Sequence, residues 1–177
     1  MKQDKKTKLA YTAGLLDGEG CISIGKHTPT SGSPQYQLSV RVSQKDGSAI
    51  DFLSGNFGGS VNIQSQSKAT FATGDKEKDW IYSWTVEGTK AIFLLKQVLP
   101  FLRLKKKQAE LAIQFQQRKT FGKKKTKENQ KTFASLPEHE IEIREKMFQK
   151  MKELKREWSK SKNPNVVEYT FKSMVQE

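Results

Sequence analysis

Two stretches of the chain alternate between apolar and polar residues, and this pattern limits the possible fold more than any other feature. Residues 37–43 read QLSVRVS and residues 80–86 read WIYSWTV. Successive side chains of a β-strand point to opposite faces of a sheet, whereas a helix would scatter these apolar residues around its axis. Each stretch therefore predicts a strand with one buried and one polar face, as in an antiparallel sheet that is covered on one side.

Shorter alternating segments and segments with helical spacing complete the pattern. Residues 21–25 and 61–64 predict partner strands, and each precedes one of the longer strands along the chain. Apolar residues at helical spacing predict helices in residues 7–16, 50–57, 91–98 and 104–115. We therefore expect an α+β fold, an αββαββα core in which helices cover one face of a single four-stranded antiparallel sheet.

The last third of the chain has a different composition. A basic stretch begins near residue 118, and Pro137 and Glu138 then suit the start of a further helix. We divide the chain into a core (residues 1–118), a basic connector (119–136) and a C-terminal helical extension packed on the core (137–177).

The charge of the chain indicates a polyanionic partner. Lysine and arginine exceed aspartate and glutamate so far that the formal net charge is +13 over 177 residues. Nucleic acid and an anionic membrane surface both fit this excess. No apolar run approaches the roughly 18 residues that would span a bilayer, so we expect no membrane-embedded role.

Cysteine and histidine are too few for several common kinds of metal site. Cys21 is the sole cysteine, which excludes an intrachain disulfide and a cysteine-based zinc site. His27 and His139 lie far apart in sequence and form no ligand pair at helical spacing. Zinc-dependent nucleases are therefore poor fits.

The polar face of the predicted sheet is a candidate surface for reading DNA. Amide side chains match adenine and guanidinium matches guanine in the major groove, which a twisted antiparallel ribbon can enter. The alternative is that these residues are the ordinary solvent face of a one-sided sheet. The candidates for DNA contacts are Ser23, Gly25, His27, Gln35, Gln37, Ser39, Arg41, Asn62, Gln64, Gln66, Ser83 and Thr85.

One nonapeptide, TAGLLDGEG at residues 12–20, resembles the signature of the LAGLIDADG homing endonucleases. An ordinary helix end would also explain its glycines. Two further segments are similar to the same family, however: VSQK at residues 42–45 and LPFLRLKKKQA at residues 99–109. The resemblance extends over roughly residues 9–116 and is loose beyond them, and the single motif places the chain with the homodimeric branch of the family.

The resemblance implies a metal-dependent active site at the end of the first helix. Glu19, just beyond that helix, and the carbonyl of Gly18 would ligate Mg²⁺ or Mn²⁺, and Ca²⁺ would bind without supporting cleavage. Hard cations of this kind take oxygen ligands and keep several waters, so one carboxylate per subunit suffices. Gln44 would orient water and Lys105 would balance charge around the scissile phosphate. We assign Asp17 to helix packing or capping.

The resemblance also implies how two copies would assemble on DNA. In the family, the motif helices of two subunits pack against each other, and Ala10, Ala13 and Gly14 are small enough to allow this approach. Symmetry of the homodimer would be mirrored in a pseudo-palindromic target. In the C-terminal extension, which the resemblance does not cover, we expect Ser159, Lys160 and Lys162 to contact backbone phosphates near the cut.

The function that follows is a site-specific homing endonuclease, which breaks both strands of a long double-stranded DNA site and promotes intron homing. Two alternatives stay open: an intron maturase, with RNA as its partner, and an inactive DNA-binding module of the same fold. The joint presence of Glu19, Gln44 and Lys105 favours the nuclease over the inactive module. Absence of an import signal and a bias toward lysine predict synthesis inside a chloroplast or mitochondrion, and a bacterial or phage host is the alternative.

Overall fold

The structure, a computed structural model, describes residues 4–30, 32–67, 78–121 and 137–161. Five helices, four strands and one short 3₁₀ helix (Leu99–Phe101) lie in these residues. In chain order they are α1 (Lys5–Glu19), β1 (Gly20–His27), β2 (Gln35–Gln44), α2 (Gly47–Phe57), β3 (Ser60–Ser67), β4 (Lys78–Glu87), α3 (Gly88–Val98), α4 (Lys106–Phe121) and α5 (Glu138–Ser161).

The four strands form one antiparallel sheet in the order β1-β2-β4-β3. The two long alternating strands, β2 and β4, are therefore neighbours at its centre. Arg41 of β2 pairs with Cys21 of β1 on one side and with Thr85 of β4 on the other, which fixes the register across three strands. The predicted α+β fold with a single four-stranded sheet is confirmed.

The hydrophobic core lies between the helices and one face of the sheet. The apolar members of the alternation in β2, Leu38, Val40 and Val42, are fully buried, and Trp84 of β4 is buried beside them. Helices α1, α3 and α4 contribute further buried residues to the same cluster. The opposite face of the sheet carries the polar members of each strand, as the alternation predicted. Within the described residues, no helix is both long enough and apolar enough to cross a membrane.

Strand β3 departs from the expected half-buried pattern. Val61 and Ile63 have the inward register, opposite Trp84 and Tyr82, yet their side chains are 43% and 53% exposed. Both β1 and β3 are edge strands, but the inward residues Ile22 and Ile24 of β1 are buried because α4 and α5 pack on that strand. These helices do not extend over the apolar face of β3 to the same degree.

Helix α1 continues further than its glycines suggested, and the expectation that Glu19 lies just beyond the helix was wrong. Gly18 and Glu19 are helical, and the chain becomes extended only at Gly20, whose N–H donates to the carbonyl of Leu16. A Cβ on Gly20 would lie 2.6 Å from the backbone of Leu16, whereas a Cβ on Gly18 would meet nothing within 4 Å. Gly20 is therefore the glycine that the turn from helix to strand requires.

Helix α5 is held on the sheet by a charged cluster as well as by apolar packing. Met151 of α5 is 1% exposed and belongs to the core. Glu145 accepts hydrogen bonds from the Lys26 ammonium at 2.7 Å and from the Tyr36 hydroxyl at 2.5 Å. A third bond comes from Gln149 within α5. The cluster ties α5 to the first two strands, while the proposed division at residues 118 and 136 stays a prediction.

These contacts shift the pKa of both acids in the cluster. The hydrogen bonds from Lys26, Tyr36 and Gln149 lower the pKa of Glu145 to about 2. Burial, followed by the hydrogen bond to Glu145, raises the pKa of Tyr36 to about 12. Glu145 is therefore anionic and Tyr36 neutral throughout the physiological range.

We predict that Glu145→Gln lowers the free energy of unfolding at pH 7 by about 1 kcal/mol, a value reduced for the partial exposure of the pair. Because the pKa of Glu145 is lower in the folded state, its contribution is complete above its ordinary value near 4.5. It is lost as the pH falls toward about 2. Urea unfolding at pH 7 and pH 3 tests this, and the difference between variant and wild type must shrink at the lower pH.

The matched control is Glu153→Gln, which removes an exposed partner of Lys150 from the same helix. Exposed pairs of this kind contribute little. Equal effects of the two variants would contradict a docking role for Glu145.

Candidate active site and nucleic-acid interface

Glu19 and Gln44, which are far apart in sequence, lie at one depression on the surface of the protein. Glu19 ends α1 and Gln44 ends β2, and the two come together because Gly20 pairs with Val42 at the start of the β1–β2 ladder. The depression has a volume of about 440 Å³. Its lining residues are Glu19, Ser43, Gln44, Lys45, Asp46 and Ile81.

Asp46 brings a second carboxylate to this depression, and sequence reasoning missed it. It is the N-cap residue of α2, and its side chain accepts a hydrogen bond of 2.8 Å from the backbone N–H of Ser48. That hydrogen bond lowers the pKa of the Asp46 carboxyl. The signal was present in sequence, because an aspartate directly before a helix is a typical N-cap.

Lys105 lies behind the end of α1. Its side chain is buried, with 2% exposure, and does not line the depression. The ammonium donates to the carbonyl oxygens of Leu16 at 2.6 Å and Asp17 at 2.8 Å. The last carbonyls of a helix lack intrahelical partners and carry the negative end of its dipole, so a buried lysine is a strong cap for them. Lys105 therefore positions the end of α1, and its expected role in balancing charge around the scissile phosphate stays a prediction.

Asp17 also connects the end of α1 to the residues before α4, and we call this set of contacts the junction. Its carboxylate accepts hydrogen bonds from the backbone N–H groups of Arg103, at 2.7 Å, and Lys105, at 2.9 Å. These groups belong to the turn that leads into α4. The expectation that Asp17 serves packing or capping is confirmed.

Two of the three residues expected at a dimer interface lie on the exposed side of α1. Ala10 and Gly14 are exposed, and Gly14 has nothing near its missing Cβ. Ala13 is only 1% exposed and belongs to the hydrophobic core of its own chain, so its assignment to an interface was wrong. Tyr11, which is 46% exposed, lies on the open side of the helix and packs edge-on against Phe52.

The polar residues of the strands form one continuous surface opposite the core. Side chains link neighbouring strands across it: Ser23 with Ser39 at 2.9 Å, Arg41 with Thr85 at 3.3 Å, and Ser43 with Ser83 at 2.8 Å. Gln37 similarly donates to Glu87. Exposed members of this surface are Gly25, His27, Gln35, Gln37, Arg41, Asn62 and Gln64.

The remaining candidates lie outside what the structure describes. Gln66 and Lys160 belong to β3 and α5, but their side chains are outside the described part of the structure, as is that of Ser159. Lys162 lies beyond the described residues altogether.

One cation near the site was missed by sequence reasoning. The ammonium of Lys155, on α5, lies 3.1 Å from the sulfur of Cys21, two residues after Glu19. The stripe of apolar residues in α5 predicted the helix but gave no indication of which strand its lysines would meet. Helix α5 therefore brings positive charge to the polar face of β1.

We predict that Lys105→Met lowers the free energy of unfolding by about 2–4 kcal/mol, because two buried carbonyls at the end of α1 lose their donor and Asp17 loses a nearby positive charge. The measurement is urea unfolding followed by circular dichroism. Lys106→Met is the control, since its exposed side chain follows directly in sequence. A loss below about 0.5 kcal/mol, the usual range for surface changes, would contradict the buried contacts.

No family model and no curated protein matches the chain, whereas several solved structures do. The homing endonuclease I-CvuI in complex with DNA matches with a TM-score of 0.50 and 18% identity, over 83% of this chain and 96% of that one. The LAGLIDADG homing endonuclease I-SmaMI bound to cleaved DNA has a TM-score of 0.56 and 14% identity, over 84% of this chain and 45% of that one.

A further LAGLIDADG homing endonuclease, I-GzeII in complex with its DNA target, has a TM-score of 0.55 and 13% identity, over 81% of this chain and 43% of that one. The chain thus spans nearly all of I-CvuI and less than half of the other two. At these identities the likeness concerns the fold. The sheet order, the helical layer and the motif at the end of α1 together show that this chain has the fold of the LAGLIDADG homing endonucleases.

Proposed function

We propose that this chain is a site-specific homing endonuclease that breaks both strands of a long, pseudo-palindromic DNA site. One observation carries the proposal: the exposed carboxylate of Glu19 shares a depression with Gln44. That depression borders the polar face of the sheet, to which Ser43 also belongs. A surface suited to base edges and a carboxylate suited to a hard cation are therefore contiguous.

The oxygen donors at the end of α1 fit a divalent cation such as Mg²⁺ or Mn²⁺. Lys105 takes the carbonyls of Leu16 and Asp17, and the next carbonyl along the helix is that of Gly18. A carboxylate and a carbonyl are the ligands that hard cations prefer. When bound, the ion would polarise the phosphoryl oxygen and lower the pKa of water. We expect Ca²⁺ to bind without supporting cleavage.

The side chains of the protein have separate tasks in this scheme. Glu19 would hold the ion, and the amide of Gln44 would orient the attacking water, since both line the same depression. Asp17 and Lys105 fix the helix end against the turn before α4, so Glu19 is positioned before DNA binds. Because these groups are already in place, the reaction does not include the free-energy cost of reorganising the site.

A complete site for two strands would need two chains. Among the described residues no group of three or more histidine, cysteine, aspartate or glutamate side chains could hold a metal. The chain spans nearly all of I-CvuI but less than half of I-SmaMI. Two copies of this chain would therefore match one chain of I-SmaMI in extent. We infer that the exposed side of α1, with Ala10 and Gly14, faces the same side of a second copy.

We predict that Glu19→Gln abolishes cleavage and leaves DNA binding within a few-fold of wild type. The amide keeps the shape of the side chain but loses the charge that holds the cation. The substrate is an inverted-repeat duplex library with about ten randomised base pairs per half-site, one helical turn. Cleaved ends are captured by adaptor ligation in Mg²⁺, and binding of the same library is measured in Ca²⁺.

Glu110→Gln is the control, because it makes the same change at an exposed position of α4. Cleavage retained by Glu19→Gln would overturn the mechanism. A wild-type protein that binds members of the library but cuts none would support the inactive DNA-binding module instead.

We predict that Gly14→Arg converts a dimer to a monomer, because the long side chain would fill the space needed for a second α1. Helix stability is not at risk, since glycine is a poor helix former and no atom lies within 4 Å of the new Cβ. Sedimentation equilibrium measures the mass of wild type and variant. Gly55→Arg, equally open but on α2, is the control. A wild-type protein that is monomeric both free and on DNA would refute the two-chain site.

A further inference from the structure

The proposed reaction at Glu19 requires positive charge beside the scissile phosphate. Phosphodiester cleavage moves additional negative charge onto oxygens of the scissile phosphate, and a fixed cation beside them lowers the barrier. Lys105 was the expected cation, but its ammonium is buried against the carbonyls of Leu16 and Asp17. If the proposed function holds, a lysine that lines the depression is placed to share this task with the divalent cation.

Lys45 is the cation whose position meets this need. It follows Gln44 directly, it is exposed, and it lines the same depression as Glu19. With Glu19 and Asp46, the depression combines two carboxylates and one ammonium. This composition suits a divalent cation on one side of a phosphate and a lysine on the other.

Lys155 is the competing candidate. Its ammonium lies against the sulfur of Cys21, on the strand that leaves the site, and it is not part of the lining of the depression. It is therefore better placed for DNA that lies across β1 than for the phosphate at Glu19.

We propose that Lys45 is a further catalytic cation, which contacts the scissile phosphate from the lining of the depression, while Lys105 fixes the end of α1 behind it. The inference rests on the proposed endonuclease function and deepens it. In the step concerned, a water oxygen bonds to phosphorus, the P–O3′ bond breaks, and the 3′ oxygen gains a proton as the water loses one. Lys45 keeps its protons and balances charge on the non-bridging oxygens.

The experiment is single-turnover cleavage of the duplex that the wild-type protein cuts best in the palindromic library. We expect Lys45→Gln to slow the rate by about 10²–10³-fold, the usual effect of losing one group that stabilises transition-state charge. Binding in Ca²⁺ should weaken by less than about 10-fold per subunit, since each subunit loses one phosphate contact. Lys45→Arg should restore most of the rate because it restores the charge.

Two matched variants separate Lys45 from other lysines. Lys96→Gln makes the same charge change at an exposed position in the last turn of α3, and its rate should equal that of wild type. Lys155→Gln should weaken binding more than it slows cleavage. A wild-type rate in Lys45→Gln, or a larger loss of rate in Lys155→Gln, would overturn the assignment.

The salt dependence of binding gives a second readout that does not need cleavage. For the duplex bound most tightly in Ca²⁺, removing one phosphate contact from each of the two subunits should reduce the slope of log K against log salt by about 1.8, which is about 0.9 per contact. Lys45→Gln should show this reduction, and Lys96→Gln should not. Failure of the wild-type protein to cut any duplex would refute the proposed function, whereas an unchanged slope for Lys45→Gln would refute the inference about Lys45.

Discussion

The end of α1 depends on an exchange of hydrogen bonds between Asp17 and Lys105, two charged residues separated by 88 positions in sequence. The carboxylate accepts from backbone groups of the turn before α4, and the ammonium donates to backbone carbonyls of α1. Burying two charges is costly unless each keeps its hydrogen bonds, and here both do. The exchange stabilises this arrangement of helix and turn specifically, since any shift would leave a buried charge without its partners.

The position of the candidate site follows from that junction. Glu19 comes two residues after Asp17, and β1 begins immediately after it at Gly20. The pairing of Gly20 with Val42 then brings the end of β2, with Gln44 and Lys45, to the same place. Helix, strand and depression are thus fixed in relation to one another by the side-chain hydrogen bonds of Asp17 and Lys105 and by the pairing of β1 with β2.

The sequence predicted those features that depend on local periodicity. Alternation in β2 predicted its buried and exposed faces. Motif resemblance predicted that Glu19 follows the first helix, whereas Glu19 is the last residue of that helix. Sequence patterns did not predict features that depend on residues far away in the chain. These features are the burial of the Lys105 ammonium and the orientation of Ala10 and Ala13, of which only Ala10 lies on the exposed side of α1. A glycine at position 18 suggested a helix end, but only the approach of the Leu16 backbone to Gly20 shows where the turn must occur.

The two glycines after Asp17 have different consequences for sequence variation. At Gly20 the fold of the single chain itself forbids a side chain, because the space is filled by the backbone of Leu16. At Gly18 the single chain has room for one. Any restriction on residue choice at position 18 must therefore come from outside the chain. Tolerance to substitution at these two positions thus separates the demands of folding from those of assembly and DNA binding.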